Sequence, residues 1–125
     1  MTDSTSYLPA GWAQRLGITV VPVQVVVGGT PYDETDADQA RLVADALASW
    51  QPVTTSRPAP ARFLQAYDLA VSNGADHVVA VTLSAAMSAT YESALLAARE
   101  CSVPVEVVDS RTAAMGLGFA VVSGA

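Results

Sequence analysis

A chain of 125 residues is long enough for one domain with its own core, and at 51% hydrophobic and 14% charged it reads as globular rather than disordered. The formal charge is −6 and the six basic residues are all arginines, scattered along the chain without a cluster, which argues against nucleic acid and anionic membrane surfaces as partners. One cysteine and one histidine exclude an intrachain disulfide and a Cys/His zinc site. The chain holds no apolar run of about 20 residues for a membrane span, and MTDSTSYLPAGW has no basic region followed by an apolar one, so no signal peptide is expected. A reduced, cytoplasmic setting is the expectation.

Taken in order, Asp3-Ser4-Thr5 has the character of a loop leaving a strand. Only Met1-Thr2 precede it, so the chain is expected to lack a first strand. ITVVPVQVVV (18–27) is rich in β-branched residues and predicts a strand that Pro22 places at an edge or a bend. GGTPYDETDAD reads as loop, and Thr35 with Asp38 as a capping box. Ala40, Val43, Ala44 and Leu47 follow at the spacing of a one-sided helical stripe.

QPVTTSRPAPARF (51–63) reads as a second loop, with Pro60 in the first turn of a helix, where its missing N–H is no loss. Phe63, Ala66, Tyr67 and Ala70 form the buried stripe of that helix, closed by Asn73-Gly74. HVVAVTL (77–83) predicts a strand buried on both faces. The next helix would place Tyr91, Leu95, Ala98 and Cys101 on one face. VPVEVVDS (103–110) predicts another short buried strand, and TAAMGLGFAVVSGA opens a last helix. Strands alternating with helices predict a three-layer α/β/α domain over residues 1–125 with a mainly parallel sheet, apparently truncated at both ends.

Small hydroxyls concentrate where strands end: Thr54, Thr55 and Ser56; Ser84 to Ser88, with Thr90 and Ser93 beyond; and Ser110 after Asp109. In an open parallel sheet ligands bind outside the carboxyl ends of the strands. Helix N-termini there supply free N–H groups and partial positive charge. Without lysine, such a cradle suits a carboxylate better than a polyphosphate. The same hydroxyls also serve as ordinary helix caps, and chemistry alone leaves both readings open.

The ordered motifs TDSTSYLP, IxVVPVxV, TTSRPxPxxF, LSxxMSATYESA and VxVVDSRTAAMGLG resemble the DegV family, over essentially the whole chain. The resemblance implies the first of two α/β domains, the second being absent. It implies a non-enzymatic protein that holds one long-chain fatty acid, such as palmitate, in an apolar slot. The carboxylate would be held by hydroxyls and, in several bacteria, presented to a fatty acid kinase. No cofactor or metal is implied. Residue by residue, Thr55 or Ser56 falls on the first hydroxyl motif and Ser88 on the second, with Thr90 and Ser84 in the same stretch. Ser93 reads as a helix-surface residue. The sequence departs from the family pattern at Ala89, where glycine is usual, at Arg57 in place of glutamine, and at Ala59 in place of serine.

Sharper chemistry is less well supported. The one histidine, His77, is expected at the start of its strand, at the opposite sheet edge from Ser88, and no G-x-S-x-G surrounds Ser84 or Ser88. GLGFAV (116–121) lacks the third glycine of a dinucleotide fingerprint and reads as close helix packing. Asp3 and Asp109 are expected to turn toward backbone N–H groups. Asp33, Glu34, Asp36 and Asp38 read as a solvated acidic loop rather than a metal site. The alternative reading is a structural fragment that oligomerises through the sheet edge left by its missing first strand.

Overall fold

In a computed structural model, which describes residues 1–34 and 39–125, seven strands and five α-helices follow one another. Strand β1 (Thr2–Asp3) leads through a 3-10 turn (Ser4–Ser6) to α1 (Trp12–Arg15), β2 (Val20–Val21), β3 (Gln24–Val27), β4 (Thr30–Asp33) and α2 (Gln39–Ala48). Then come β5 (Val53–Ser56), α3 (Pro60–Ser72), β6 (Val78–Thr82), α4 (Thr90–Ala98), β7 (Val105–Asp109) and α5 (Met115–Ser123). The expected capping box of Thr35 and Asp38 lies outside the described residues.

A four-stranded parallel sheet in the order β2-β1-β6-β7 forms the centre. The expectation of a missing first strand is corrected here: β1 is two residues long but sits inside the sheet, with Thr2 opposite both Val20 and Val81. Its brevity hid it, since two residues show no periodicity. The premise of an edge left bare by a lost strand goes with it.

Side chains alternate across a strand, so β6 serves two cores. Val78 and Ala80 face α3 and α4 and join Val21, Phe63, Tyr67, Ala94 and Ala97 in one cluster. Val81 faces the other way, against Leu83, Leu117 and Val121 beneath α5. The three-layer expectation holds. The expectation that β6 and β7 are buried on both faces does not: Val79 is 49% exposed, and β7 is an edge strand with Val108 37% exposed.

A second sheet, antiparallel in the order β4-β3-β5, corrects the reading of residues 28–34 and 51–56 as loop. Pro22 is the bend at which the chain leaves one sheet for the other, so the single strand expected over 18–27 is two strands. Gly28 and Gly29, both at positive φ (56° and 87°), make the two-residue hairpin between Val27 and Thr30. α2 covers this sheet through Leu42, Val43 and Ala46. The stripe expected for α2 is therefore turned, with Ala44 and Leu47 exposed and Ala46 buried.

The stripe of α3 is as expected, with Phe63 and Tyr67 fully buried. Gly74 (φ 93°) closes it in a Schellman arrangement, Ala75 N–H to Ala70 carbonyl at 3.0 Å and Gly74 N–H to Val71 carbonyl at 2.9 Å. α4 is rotated from expectation. It buries Thr90, Ser93, Ala94 and Ala97, so Ser93 belongs to the interior and not to the helix surface.

Candidate functional site

The carboxyl edge of the parallel sheet is built around two aspartates. Asp3 is fully buried. Its Oδ1 accepts from the Thr5 N–H at 3.0 Å and the Thr5 hydroxyl at 2.6 Å, and its Oδ2 accepts from the Leu83 N–H at 2.8 Å. Burial raises the Asp3 pKa, and these donors pull against that rise. Asp109 Oδ1 accepts from the N–H groups of Ala85 (3.1 Å) and Arg111 (2.9 Å). Both aspartates turn to backbone donors as expected. They tie the turns after β1 and β7 to the loop after β6.

That loop carries three of the candidate hydroxyls. Ser84 is buried, and its oxygen accepts from the Ala86 N–H at 3.3 Å, so it shapes the turn. The Ser88 and Thr90 hydroxyls lie 2.9 Å apart, and Ser88 Oγ also accepts from the Thr90 N–H at 3.3 Å. Two hydroxyls hold two protons, and their mutual bond uses one. The other is left for an outside acceptor at the N-terminus of α4, where the helix dipole favours negative charge. Thr90 is fully buried and Ser88 only partly, which makes Ser88 the accessible member. Ala89 adopts φ −76°, an ordinary conformation for any L-residue, so no glycine is required there. Two further hydroxyls on the helix-facing side, Thr82 Oγ1 and Ser93 Oγ, are buried without a partner among the described residues.

The register of β5 separates Thr55 from Ser56. Thr55 pairs with Val25 and shares its face with Val53, the face that looks toward α2, whereas Ser56 pairs with Gln24 and takes the other face. Thr55 lines an open, largely apolar cleft of about 450 Å³ with Val25, Val43 and Val53, and Tyr7, Glu34 and Gln39 also line it. Ser56 lies outside it, its hydroxyl 3.4 Å from the Arg57 carbonyl. The structure thus brings Ser84, Ser88 and Thr90 together on one loop and places Thr55 and Ser56 on the separate antiparallel sheet.

Sequence reasoning missed Tyr7 and Glu34. Glu34 is not part of a solvated loop: Oε1 accepts from the Tyr7 hydroxyl at 2.8 Å and Oε2 from the Ser4 hydroxyl. Ser4 Oγ in turn accepts from the Val23 N–H at 2.9 Å. The hydrogen bond to Glu34 raises the Tyr7 pKa, with burial adding to it. Asp33, its neighbour, pairs with Arg62 at 3.2 Å, while Asp36 and Asp38 lie outside the described residues. The missed signal was the Gly28-Gly29 turn, which fixes where β4 ends and so aims Glu34 back at β1.

The family model for "Uncharacterised protein, DegV family" matches residues 1–125. The chain belongs to the DegV family. A DegV domain-containing protein of Streptomyces coelicolor is 46% identical over 125 residues, which is 100% of this chain and 44% of that protein. A DegV family protein of Thermus thermophilus, whose structure is described as showing fatty acid binding, superposes with a TM-score of 0.88 at 36% identity, over 98% of this chain and 44% of that one. DegV of Bacillus subtilis, a fatty acid binding protein, superposes at 0.82 with 27% identity, over 94% of this chain and 42% of its own. The chain therefore spans somewhat under half the length of these DegV proteins. No described helix is long and apolar enough to cross a membrane.

Proposed function

We propose that this chain is the part of a DegV protein that holds a long-chain fatty acid, without catalysing a reaction on it. The observation that carries the reading is the apolar cleft of about 450 Å³ with the hydroxyl of Thr55 on its wall of valines. That volume falls in the range of small-molecule sites, and its few polar groups suit a ligand with one polar end. Each acyl methylene buried stabilises the complex by about 0.8 kcal/mol. Related DegV proteins described as fatty acid binding support the choice of ligand.

In this reading Thr55 is the carboxylate donor within the cleft, and Ser88, oriented by Thr90, offers a second donor from the separate β6 loop. Ser84 shapes the loop, and Ser56 contributes little because its register turns it away from the cleft. Hydroxyls are neutral donors, so the carboxylate keeps its charge and its nucleophilicity. That suits presentation to a cytoplasmic fatty acid kinase, which would phosphorylate it. Ser84 and Ser88 have backbone groups and Thr90 as partners, and none of these described partners is a base, which supports binding over hydrolysis.

The test is native mass spectrometry of the purified full-length protein and of its Ser88→Ala and Thr55→Ala variants, with palmitate supplied. A hydrogen bond to a charged group contributes about 1.5–3 kcal/mol, so each variant should retain palmitate roughly tenfold to a hundredfold less well. Equal retention by parent and both variants would remove the site assignment. Absence of bound fatty acid in the parent would remove the function.

A further inference from the structure

Beside the cleft at Thr55 lies a second one, of about 600 Å³, between the turn after β1 and the segment entering β2. Its apolar wall includes Leu8, Ile18 and Val20. The two clefts share two lining residues, Tyr7 and Glu34. Those residues are hydrogen-bonded to each other at 2.8 Å, so the bond spans the boundary between the clefts.

The boundary is held from both sides. Tyr7 sits in the left-handed region (φ 46°, ψ 43°), with its N–H donated to the Ser4 carbonyl at 3.1 Å, which fixes the backbone that carries its ring. Glu34 is anchored through the Ser4 hydroxyl to the Val23 N–H at the bend between the sheets. A methylene chain cannot replace any of these hydrogen bonds. An acyl tail that passed this point would have to part Glu34 from Tyr7 and lay methylenes against the carboxylate in place of that donor and of water, which is unfavourable.

We propose that the Tyr7–Glu34 pair is the end wall of the acyl slot and sets the longest fatty acid the protein accepts. This rests on the fatty-acid reading above and adds the residues that select among acyl lengths. With the pair closed, the tail is confined to the cleft lined by Val25, Val43 and Val53. With the pair removed, the two clefts join, and a longer tail continues toward Leu8, Ile18 and Val20.

The test compares laurate, palmitate, stearate and arachidate as competitors for a bound fluorescent fatty acid, on the full-length protein and its Tyr7→Ala and Tyr7→Phe variants. Tyr7 is 59% exposed, so Tyr7→Ala should keep the fold, which a thermal melt checks. Tyr7→Phe keeps the ring, loses only the bond, and decides the matter should the alanine variant unfold. In Tyr7→Ala the affinity of longer acids relative to shorter ones should rise by about fourfold for each further methylene buried. Tyr7→Phe should move the same way by less. An unchanged length profile in every folded variant that binds fatty acid overturns the end wall and leaves the fatty-acid reading standing. Binding of none of the acids by parent or variants overturns both.

Discussion

Gly118 gives a sharp test of the packing that supports the site. It is buried on α5 against the 3-10 turn, and a Cβ placed on it would lie 2.6 Å from the Ser6 backbone carbonyl oxygen. Real Cβ contacts do not come so close, and a backbone carbonyl has no rotamer to escape into. Gly118→Ala must therefore push α5 or the turn aside, and overpacking of this kind costs about 1–3 kcal/mol. Alanine returns up to about 1 kcal/mol of helix propensity. The expected net loss is about 1–2 kcal/mol, read as a lower urea midpoint at unchanged slope and a melting temperature lower by several degrees. Gly116→Ala is the comparison, since its Cβ would meet only side-chain atoms of Thr112, the hydroxyl closest and Cγ2 and Cβ at 3.3 and 3.4 Å. A side chain can shift where a backbone carbonyl cannot, so it should cost less than Gly118→Ala. If Gly118→Ala is as stable as the parent while Gly116→Ala is not, the close approach of α5 to the turn is wrong.

Two other changes probe single features. Trp50 ends α2 in the left-handed region at φ 57° and is 94% exposed, so it bears the steric cost of that conformation with little burial in return. Trp50→Gly should stabilise the protein by about 1 kcal/mol in chemical denaturation, and a loss of stability would mean that the ring makes contacts of its own. Asp3 has a folded-state pKa raised by burial. Its ionisation therefore costs stability at neutral pH, and the cost fades as pH falls through the raised pKa toward the ordinary carboxylate range. Measured against Asp3→Asn across that window, the parent should gain stability relative to the variant as the pH is lowered; a gain with rising pH would refute it.

The parts of the fold that could be read from sequence are those in which one period dominates. Phe63, Ala66, Tyr67 and Ala70 recur at helical spacing, and Asn73-Gly74 marks the helix end. α4 has no such contrast, because alanines surround it, and small hydroxyls at Thr90 and Ser93 pack against the sheet as well as alanine does. β5 escaped notice because VTTS has little apolar content; its pairing with Val25 and Val27, not its own composition, makes it a strand. At the site, the hydroxyls of the β6 loop and of β5 were visible as residue types in loop-like stretches. Which of Thr55 and Ser56 faces the cleft depends on register, and the Tyr7–Glu34 contact joins residues 27 apart through two sheets. Neither has a local signature.

The two-residue strand β1 has a consequence for how the chain is made. Thr2 and Met1 find their partners at Val79 and Val81, with the Met1 ammonium donating to the Val79 carbonyl at 2.7 Å across 78 residues of sequence. At ordinary rates of synthesis, several seconds separate translation of the first partner from translation of the second. Until β6 emerges, β1 and β2 have only each other to pair with, whereas β3, β4 and β5 can pair within about thirty residues. The antiparallel sheet that walls the Thr55 cleft can therefore assemble early on the ribosome, and the parallel sheet that carries the Ser88 loop closes late.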